Sequence, residues 1–284
     1  MGPIEIALLC IGVFAILLIG YMLWETRQLT ITHHNFHSKK IQSPLTFLHF
    51  TDLHLGRTGI KTEQIIKTIQ ENKSDFLVFT GDYFEQEDHI PRLLHLMDAI
   101  RSIYTKPIYF CYGNHDRKDG FQFNKELEEQ TTKQLQERNI TVLENQATIH
   151  KINDTSLHII GLSDARSNQA DIPEVLNEIY ATTSKDSMPT LLITHNSDIL
   201  MQMPKGSVDF AVAGHTHGAQ VRTPFELEVK VLHRKDILSS RKNIIRGAHR
   251  YNDIDLYINR GLGCTFLPIR FLSKPEIAVV RIIP

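Results

Sequence analysis

Residues 46–54, Thr46-Phe47-Leu48-His49-Phe50-Thr51-Asp52-Leu53-His54, pass from a mostly apolar run into a carboxylate and an imidazole. The run is short, aromatic and bounded by polar residues, so it predicts a buried strand over 46–50. The same transition recurs along the chain. A strand candidate at 76–80 ends in Gly81-Asp82, and one at 108–111 ends in Gly113-Asn114-His115-Asp116. One at 191–194 runs into Thr194-His195-Asn196, and one at 208–213 runs into Gly214-His215-Thr216-His217-Gly218. Further strand candidates lie at 157–162, 256–258 and 277–283.

Amphipathic stretches separate the early strands. Ile65, Ile66 and Ile69 form one apolar helical face, and Leu93, Leu94, Met97 and Ile100 form another after Pro91, which a first helical turn tolerates. The charged run 124–139 reads as a solvated helix. Strands alternating with helices predict an α/β fold. In open α/β sheets ligands gather at the carboxyl ends of strands, so five polar strand ends predict one shared crevice.

Taken singly, Gly-Asp and Gly-Asn are ordinary turn dipeptides, and a lone His after a strand is ordinarily a hydrogen-bonded loop residue. Two pairs say more: Asp52 with His54, and His215 with His217, are spaced i, i+2, which in extended chain points both side chains to one side. That spacing suits a metal at a strand end. Turn statistics do not readily place all five motifs at predicted strand ends.

Composition narrows the alternatives. With 31 Lys+Arg against 32 Asp+Glu the chain has a formal net charge of −1, which gives no bulk attraction to nucleic acid. Its three cysteines, Cys10, Cys111 and Cys264, form no Cys-x-x-Cys pair and no disulfide framework. There is no His-Glu-x-x-His and no Gly-x-Ser-x-Gly, so a zinc protease or serine hydrolase reading has no support. Gly261-Leu262-Gly263 lacks the third glycine of a dinucleotide fingerprint. His33, His34 and His37 read as part of a solvated linker, and His49 as a satisfied core histidine.

The set Asp52-Leu53-His54, Gly81-Asp82, Gly113-Asn114-His115-Asp116, Thr194-His195 and Gly214-His215-Thr216-His217 resembles the signature of the calcineurin-like metallophosphoesterases. The later stretch Asn259-Arg260-Gly261-Leu262-Gly263, with Pro268-Ile269-Arg270 and Pro275-Glu276, resembles the bacterial membrane-associated branch of that family. Two features depart from that branch: Ala219 stands where a second glycine is usual, and no proline follows Thr194-His195-Asn196-Ser197. The resemblance covers 46–284 and implies a layered α/β/β/α sandwich.

It also implies one metal held by Asp52, His54, Asp82 and His217, and a second held by Asp82, Asn114, His195 and His215, with Asp82 shared. Such donors suit two borderline divalent ions, Mn²⁺, Fe²⁺ or Zn²⁺. Two such ions and two carboxylates leave a charge that a bridging hydroxide and a phosphodiester anion would neutralise, and paired metals stabilise both oxygens of an in-line displacement. On this reading His115 is a catalytic non-ligand that donates a proton to the leaving oxygen or a hydrogen bond to the developing charge, and Asp116 orients its ring.

One segment stands apart. Ile6 to Trp24 is 19 residues without a charge, ending in the interfacial aromatics Tyr21 and Trp24. It predicts a single-pass anchor over 1–24, followed by a linker over 25–45. No basic residue precedes it and no small-x-small site follows, against a cleaved signal peptide; Leu9 is a poor neighbour for a lipoprotein site at Cys10. Arg27, Lys39 and Lys40 follow the span, which predicts a cytoplasmic catalytic domain.

The anchor favours a substrate at the bilayer surface, and the resemblance to the membrane-associated branch implies a phosphodiester or pyrophosphate bond in a lipid-linked molecule. A phosphomonoesterase, or a non-catalytic membrane scaffold that keeps the metal residues, is the alternative. From Lys230 to Arg250 seven basic residues face only Asp236, reading as a solvated loop or an overhang that meets anionic lipid or substrate phosphate.

Overall fold

Side-chain alternation in the central strands sorts apolar residues into three separate cores, and the layers follow from them. In β2 (Leu45–Phe50), Phe47 points one way while Leu48 and Phe50 point the other; in β3 (Phe76–Thr80), Phe76 and Val78 oppose Leu77 and Phe79. The computed structural model describes residues 1–284 except 120–121, 153–154, 166–169, 183–186, 224–237 and 239–243. Most of the basic segment after Lys230 therefore lies outside the described residues.

The elements run α1 (Pro3–Glu25), β1 (Thr30–His37), β2, α2 (Thr62–Glu71), β3, α3 (Ile90–Arg101), β4 (Ile108–Cys111), the small ribbon β5 (Lys118–Asp119) and β6 (Gln122–Phe123), then α4 (Lys125–Gln136) and β7 (Ile140–Val142). They continue with β8 (Gln146–Ile152), β9 (Thr155–Gly161), α5 (Ile172–Thr182), β10 (Thr190–Ile193), β11 (Phe210–Ala213), β12 (Gly247–Tyr251), β13 (Ile254–Ile258) and β14 (Glu276–Ile283).

Two six-stranded sheets form, ordered β1-β14-β2-β3-β4-β7 and β12-β13-β11-β10-β9-β8. Within them β2, β3 and β4 are parallel neighbours, as are β9, β10 and β11. Phe47, Phe76 and Val78 of the first sheet meet Leu191, Ile193, Phe210 and Val212 of the second in the middle core. Leu48, Leu77 and Phe79 pack outward against α2 and α3, through Ile65, Ile69, Leu93 and Met97. On the far side Leu192 and Ala211 pack against Val175 and Ile179 of α5. The fold is thus the expected α/β two-sheet sandwich, with helices on both outer faces.

The linker expected over 25–45 is not a tether. Residues 30–37 form β1, which pairs in parallel with β14 from Thr30↔Glu276 to His37↔Ile283. Sequence gave little sign of this because Thr-Ile-Thr-His-His-Asn-Phe-His carries few apolar residues; backbone pairing to an adjacent strand holds it instead. Phe36 still enters the middle core and stacks on Phe210 at 4.7 Å, and Lys40 pairs with Asp209 at 2.7 Å.

At about 35 Å, by a rise of 1.5 Å per residue, the 23-residue α1 is long enough to cross the bilayer's hydrocarbon layer. Most of its apolar side chains are exposed. Its C-terminal end is anchored to the sandwich: the buried Glu25 carboxylate accepts the Leu272 and Ser273 N–H groups, each at 2.9 Å.

Candidate metal centre

Every motif singled out by its position after a strand does lie there, and all of those strands point their carboxyl ends at one place. Asp52 and His54 follow β2, Asp82 follows β3, and Asn114, His115 and Asp116 follow β4. From the second sheet, His195 follows β10, while His215 and His217 follow β11. Donor atoms of Asp52, His54 and His217 lie within 4.8 Å of one another, and so do those of Asp82, His195 and His215.

Asp82 stands between the two groups. Its Oδ2 is 3.1 Å from His195 Nε2, 3.8 Å from His54 Nε2 and 3.9 Å from His115 Nε2. Its Oδ1 accepts the His115 backbone N–H at 2.9 Å. In the first group His54 Nε2 lies 3.2 Å from His217 Nε2, and His217 Nε2 lies 3.3 Å from Asp52 Oδ1. In the second, His195 Nε2 lies 3.0 Å from His215 Nδ1.

The i, i+2 pairs converge by a route other than extended chain. Asp52, His54, Asp82, His215 and His217 all have positive φ, at 50°, 40°, 57°, 70° and 51°. Left-handed backbone costs a non-glycine residue on the order of 1–3 kcal/mol and persists where its surroundings impose it, commonly at functional sites. Sharp left-handed kinks, not strand pleat, aim these side chains inward.

Neighbouring chain locks the kinks. His54 N donates to Asp82 O at 3.0 Å, Asp52 N to Gly81 O at 2.9 Å, and Gly263 N to Asp52 O at 2.6 Å. The Gly261-Leu262-Gly263 stretch is therefore a brace for the Asp52–His54 loop. A Cβ on Gly263 would collide with the Leu53 carbonyl, and one on Gly113 with the Asp82 carboxylate. Close backbone approach requires glycine at both positions.

Asp116 does something other than orient His115. Its Oδ1 accepts the N–H groups of Tyr83 at 2.6 Å and Phe84 at 3.2 Å, and its Oδ2 accepts those of Asp82 at 2.6 Å and Gly113 at 2.8 Å. Both oxygens are engaged by backbone, so Asp116 fastens the Asp82 loop to the Asn114 loop. Burial and the nearby Asp82 charge push its pKa up to about 7, against the pull of those N–H donors.

Other residues that motif spacing did not reveal complete the surroundings. Glu85 lies 3.3 Å from His54 Nδ1 and 2.5 Å from Arg57. Thr265 Oγ1 is 2.8 Å from His217 Nε2. The Arg270 guanidinium is fully buried, donates to the Gly261, Gly263 and Ser273 carbonyls, and reaches to 3.5 Å from His217 Nδ1. Glu85 lies three residues after Asp82, and Arg270 falls in the late stretch that resembles the membrane-associated branch, whereas Thr265 carried no clue.

Electrostatics favour a cation. Burial opposes charge on His195, but the Asp82 carboxylate outweighs it and pushes the pKa up to about 10. Burial likewise opposes the Asp82 charge, yet His195 holds that carboxyl well below the usual range. Burial, followed by His54 and Arg270, keeps His217 neutral, so it retains a lone pair for donation. His195 Nδ1 lies 2.9 Å from the Thr80 carbonyl; donation there leaves Nε2 free to face Asp82 and His215.

Two buried oxygens test the fit further. Asn114 Oδ1 and Asp52 Oδ1 have no hydrogen-bond partner among the described residues. A buried amide oxygen and a buried carboxylate oxygen without hydrogen-bond donors have the chemistry that hard or borderline divalent cations take as ligands.

A two-sheet sandwich carrying carboxylate, amide and imidazole donors on its strand ends defines the metallophosphoesterase class. The family model for calcineurin-like phosphoesterases matches residues 45–219, and this chain belongs to that family. It is 28% identical to the uncharacterized metallophosphoesterase YkoQ of Bacillus subtilis, over 84% of this chain and 83% of that one. It is 26% identical to the phosphodiesterase YaeI of Escherichia coli, over 89% and 87% of the two chains. It is 25% identical to the UDP-2,3-diacylglucosamine pyrophosphatase LpxG of Chlamydia trachomatis, over 84% and 83%. The protein is a hydrolase of this family with phosphodiesterase and pyrophosphatase relatives.

Proposed function

We propose that this protein is a membrane-anchored hydrolase that cleaves a phosphodiester or pyrophosphate bond in a lipid-linked or membrane-surface substrate. The convergence of Asp52, His54 and His217 with Asp82, His195 and His215 carries the reading, because Asp82 Oδ2 stands between both groups. Asp52, His54, Asp82 and His217 would hold one divalent cation, and Asp82, Asn114, His195 and His215 the other. Mn²⁺, Fe²⁺ and Zn²⁺ match these donors. Bound there, such cations supply Lewis-acid polarisation of phosphoryl oxygens and lower the pKa of an attacking water.

His115 is reserved for proton transfer. Its side chain keeps 35% of its exposure while Asp82 is buried, so its Nε2 reaches the rim where a leaving oxygen departs. It donates a proton from Nε2 to that oxygen. Asp116 contributes by holding the His115 and Asp82 loops in register.

On the same reading 1–24 is a single-pass anchor and the rest of the chain is the catalytic body. Arg27 beyond the span favours a cytoplasmic catalytic side. The similarity to LpxG supports a lipid-linked substrate, and that to YaeI a phosphodiester. The test is hydrolysis of bis-p-nitrophenyl phosphate and p-nitrophenyl phosphate by the full chain in detergent, with and without Mn²⁺, alongside metal analysis. The expected result is metal-dependent turnover of the diester above the monoester, with close to two ions per chain. Preference for the monoester would favour a phosphomonoesterase, and a folded chain inert on both would leave a scaffold.

A further inference from the structure

Exposed large apolar side chains are few outside α1, and they are concentrated. Leaving aside α1 and Met1, those described are Ile103 at 37%, Ile149 at 41%, Phe266 at 85%, Leu267 at 60% and Leu272 at 51%. Three of the five lie in one loop, 265–272, and that loop touches the end of α1. Arg270 N donates to Met22 O at 3.2 Å, and the Phe271 ring meets Tyr21 edge-on at 5.8 Å. Glu25 takes the Leu272 and Ser273 N–H groups. Tyr21 and Trp24, the aromatics that mark an interface, therefore sit beside this loop.

The loop is firmly held. Gln220 accepts the Thr265 N–H at 2.7 Å and donates to the Thr265 and Leu267 carbonyls at 3.0 and 3.1 Å. The buried Arg270 guanidinium ties its far half to Gly261, Gly263 and Ser273. Phe266 and Leu272 have φ of 61° and 54°, a conformation unusual for bulky residues. Such bonding presents Phe266 outward as a fixed feature of the surface.

We propose that loop 265–272 sits in the interfacial layer of the membrane that holds α1, with Phe266 and Leu267 inserted among the lipids. It is a second membrane contact, and it rests on the reading of α1 as an anchor. The occupant is the bilayer because the apolar ledge is continuous with the interfacial end of α1, and because a rigid ledge of Phe and Leu beside aromatic anchors fits the headgroup boundary. The other end of the ledge starts at the metal centre, where Thr265 Oγ1 meets His217 Nε2. Ser273 Oγ donates to the His217 carbonyl at 2.9 Å, so Glu25, Ser273 and His217 form a short chain from anchor to site. With both contacts in place the site opens at a fixed height just above the leaflet, where it takes a phosphoryl group attached to a membrane-embedded lipid.

The experiment uses the full chain in phosphatidylglycerol and phosphatidylethanolamine vesicles, with nitroxide labels read for relative accessibility to oxygen and to a nickel chelate. Cys111 and Cys264 are buried and Cys10 is exposed on α1, so the native chain labels at Cys10. Phe266→Cys and Ile149→Cys are made in a Cys10→Ser background. The expected result is oxygen preference at 10 and 266, with nickel preference at 149. A label at 10 in hydrocarbon with one at 266 in water overturns the second contact and leaves the anchor standing. Water at both overturns the anchor reading as well. As an independent check, Phe266→Asn with Leu267→Gln keeps a residue tolerant of left-handed backbone at 266. The rate on a vesicle-borne pyrophosphate relative to a water-soluble one should fall roughly tenfold; an unchanged ratio overturns the proposal.

Discussion

The two sheets bring unlike chemistry to the same crevice. On the proposed assignment the first sheet supplies two carboxylates, the Asn114 amide and the His54 imidazole as ligands, and the second supplies the imidazoles of His195, His215 and His217. Their supports differ in the same way. The carboxylate side is fixed by backbone N–H groups that converge on Asp116 and Asp82, whereas His195 is steadied by a carbonyl of the opposite sheet, at Thr80. The Asp52 and Asp82 carboxylates and three of the imidazoles thus come from separate layers. Closing the sandwich is what assembles both donor groups, since each draws on the two sheets.

That division predicts unequal losses. Asp82→Asn removes the carboxylate proposed to serve both ions, so metal analysis should find both ions lost and turnover should fall by roughly 10⁴ or more. His195→Ala should lose one ion and retain the other. If the two variants keep equal metal content, Asp82 is not shared and the comparison of the sheets fails.

His115 sharpens the contrast because it belongs to the carboxylate side without being a proposed ligand. His115→Ala should retain its metals and lower turnover of an ester with a poor leaving group by roughly 10² to 10⁴. The loss should shrink for a p-nitrophenyl ester, whose leaving oxygen needs little protonation. Full activity on the poor leaving group would remove the proton-donor assignment.

A smaller effect is expected one step outward, at Glu85. Its carboxylate beside His54 Nδ1 would orient that imidazole, and Arg57 holds the carboxylate in turn. Partners of this kind are worth about 10- to 100-fold in metal affinity. Titrating Glu85→Gln with Mn²⁺ should show that weakening at one ion and not the other; equal weakening at both would show that Glu85 acts on the whole site.

These contrasts separate what sequence displays from what it hides. The strand ends were legible because a buried strand has a compositional signature and the polar residues after it stand out against that background. The 76–80 and 108–111 strands appear as read. Hidden features were those set by backbone rather than side-chain pattern. The β1 edge strand is held by pairing to β14, the left-handed kinks at Asp52 and His54 by hydrogen bonds from distant loops, and the Asp116 carboxylate by N–H groups from 82–84 and 113. A local reading placed Asp116 on its neighbour His115, since it does not show where the loop turns.

His49 gives the mildest effect and the closest control for the proposed ligand histidines, being an imidazole of the first sheet that lies before the strand end instead of beyond it. It is buried in β2, its Nε2 lies 2.7 Å from Thr80 Oγ1, and its Nδ1 has no hydrogen-bond partner among the described residues. Burial pushes its pKa down to about 3, from an ordinary value of 6.5. Between those values the unfolded chain binds the proton and the folded chain does not, so this residue makes stability rise with pH through that window. Its contribution is fully present above pH 6.5 and is lost as pH falls toward 3. From pH 7.5 to 5.5 the loss is about 1.4 kcal/mol. His49→Gln lacks that proton, so urea unfolding of both chains in detergent should show a pH dependence smaller by about that amount in the variant. Equal pH dependence in the two chains would mean that burial does not lower the His49 pKa in the fold.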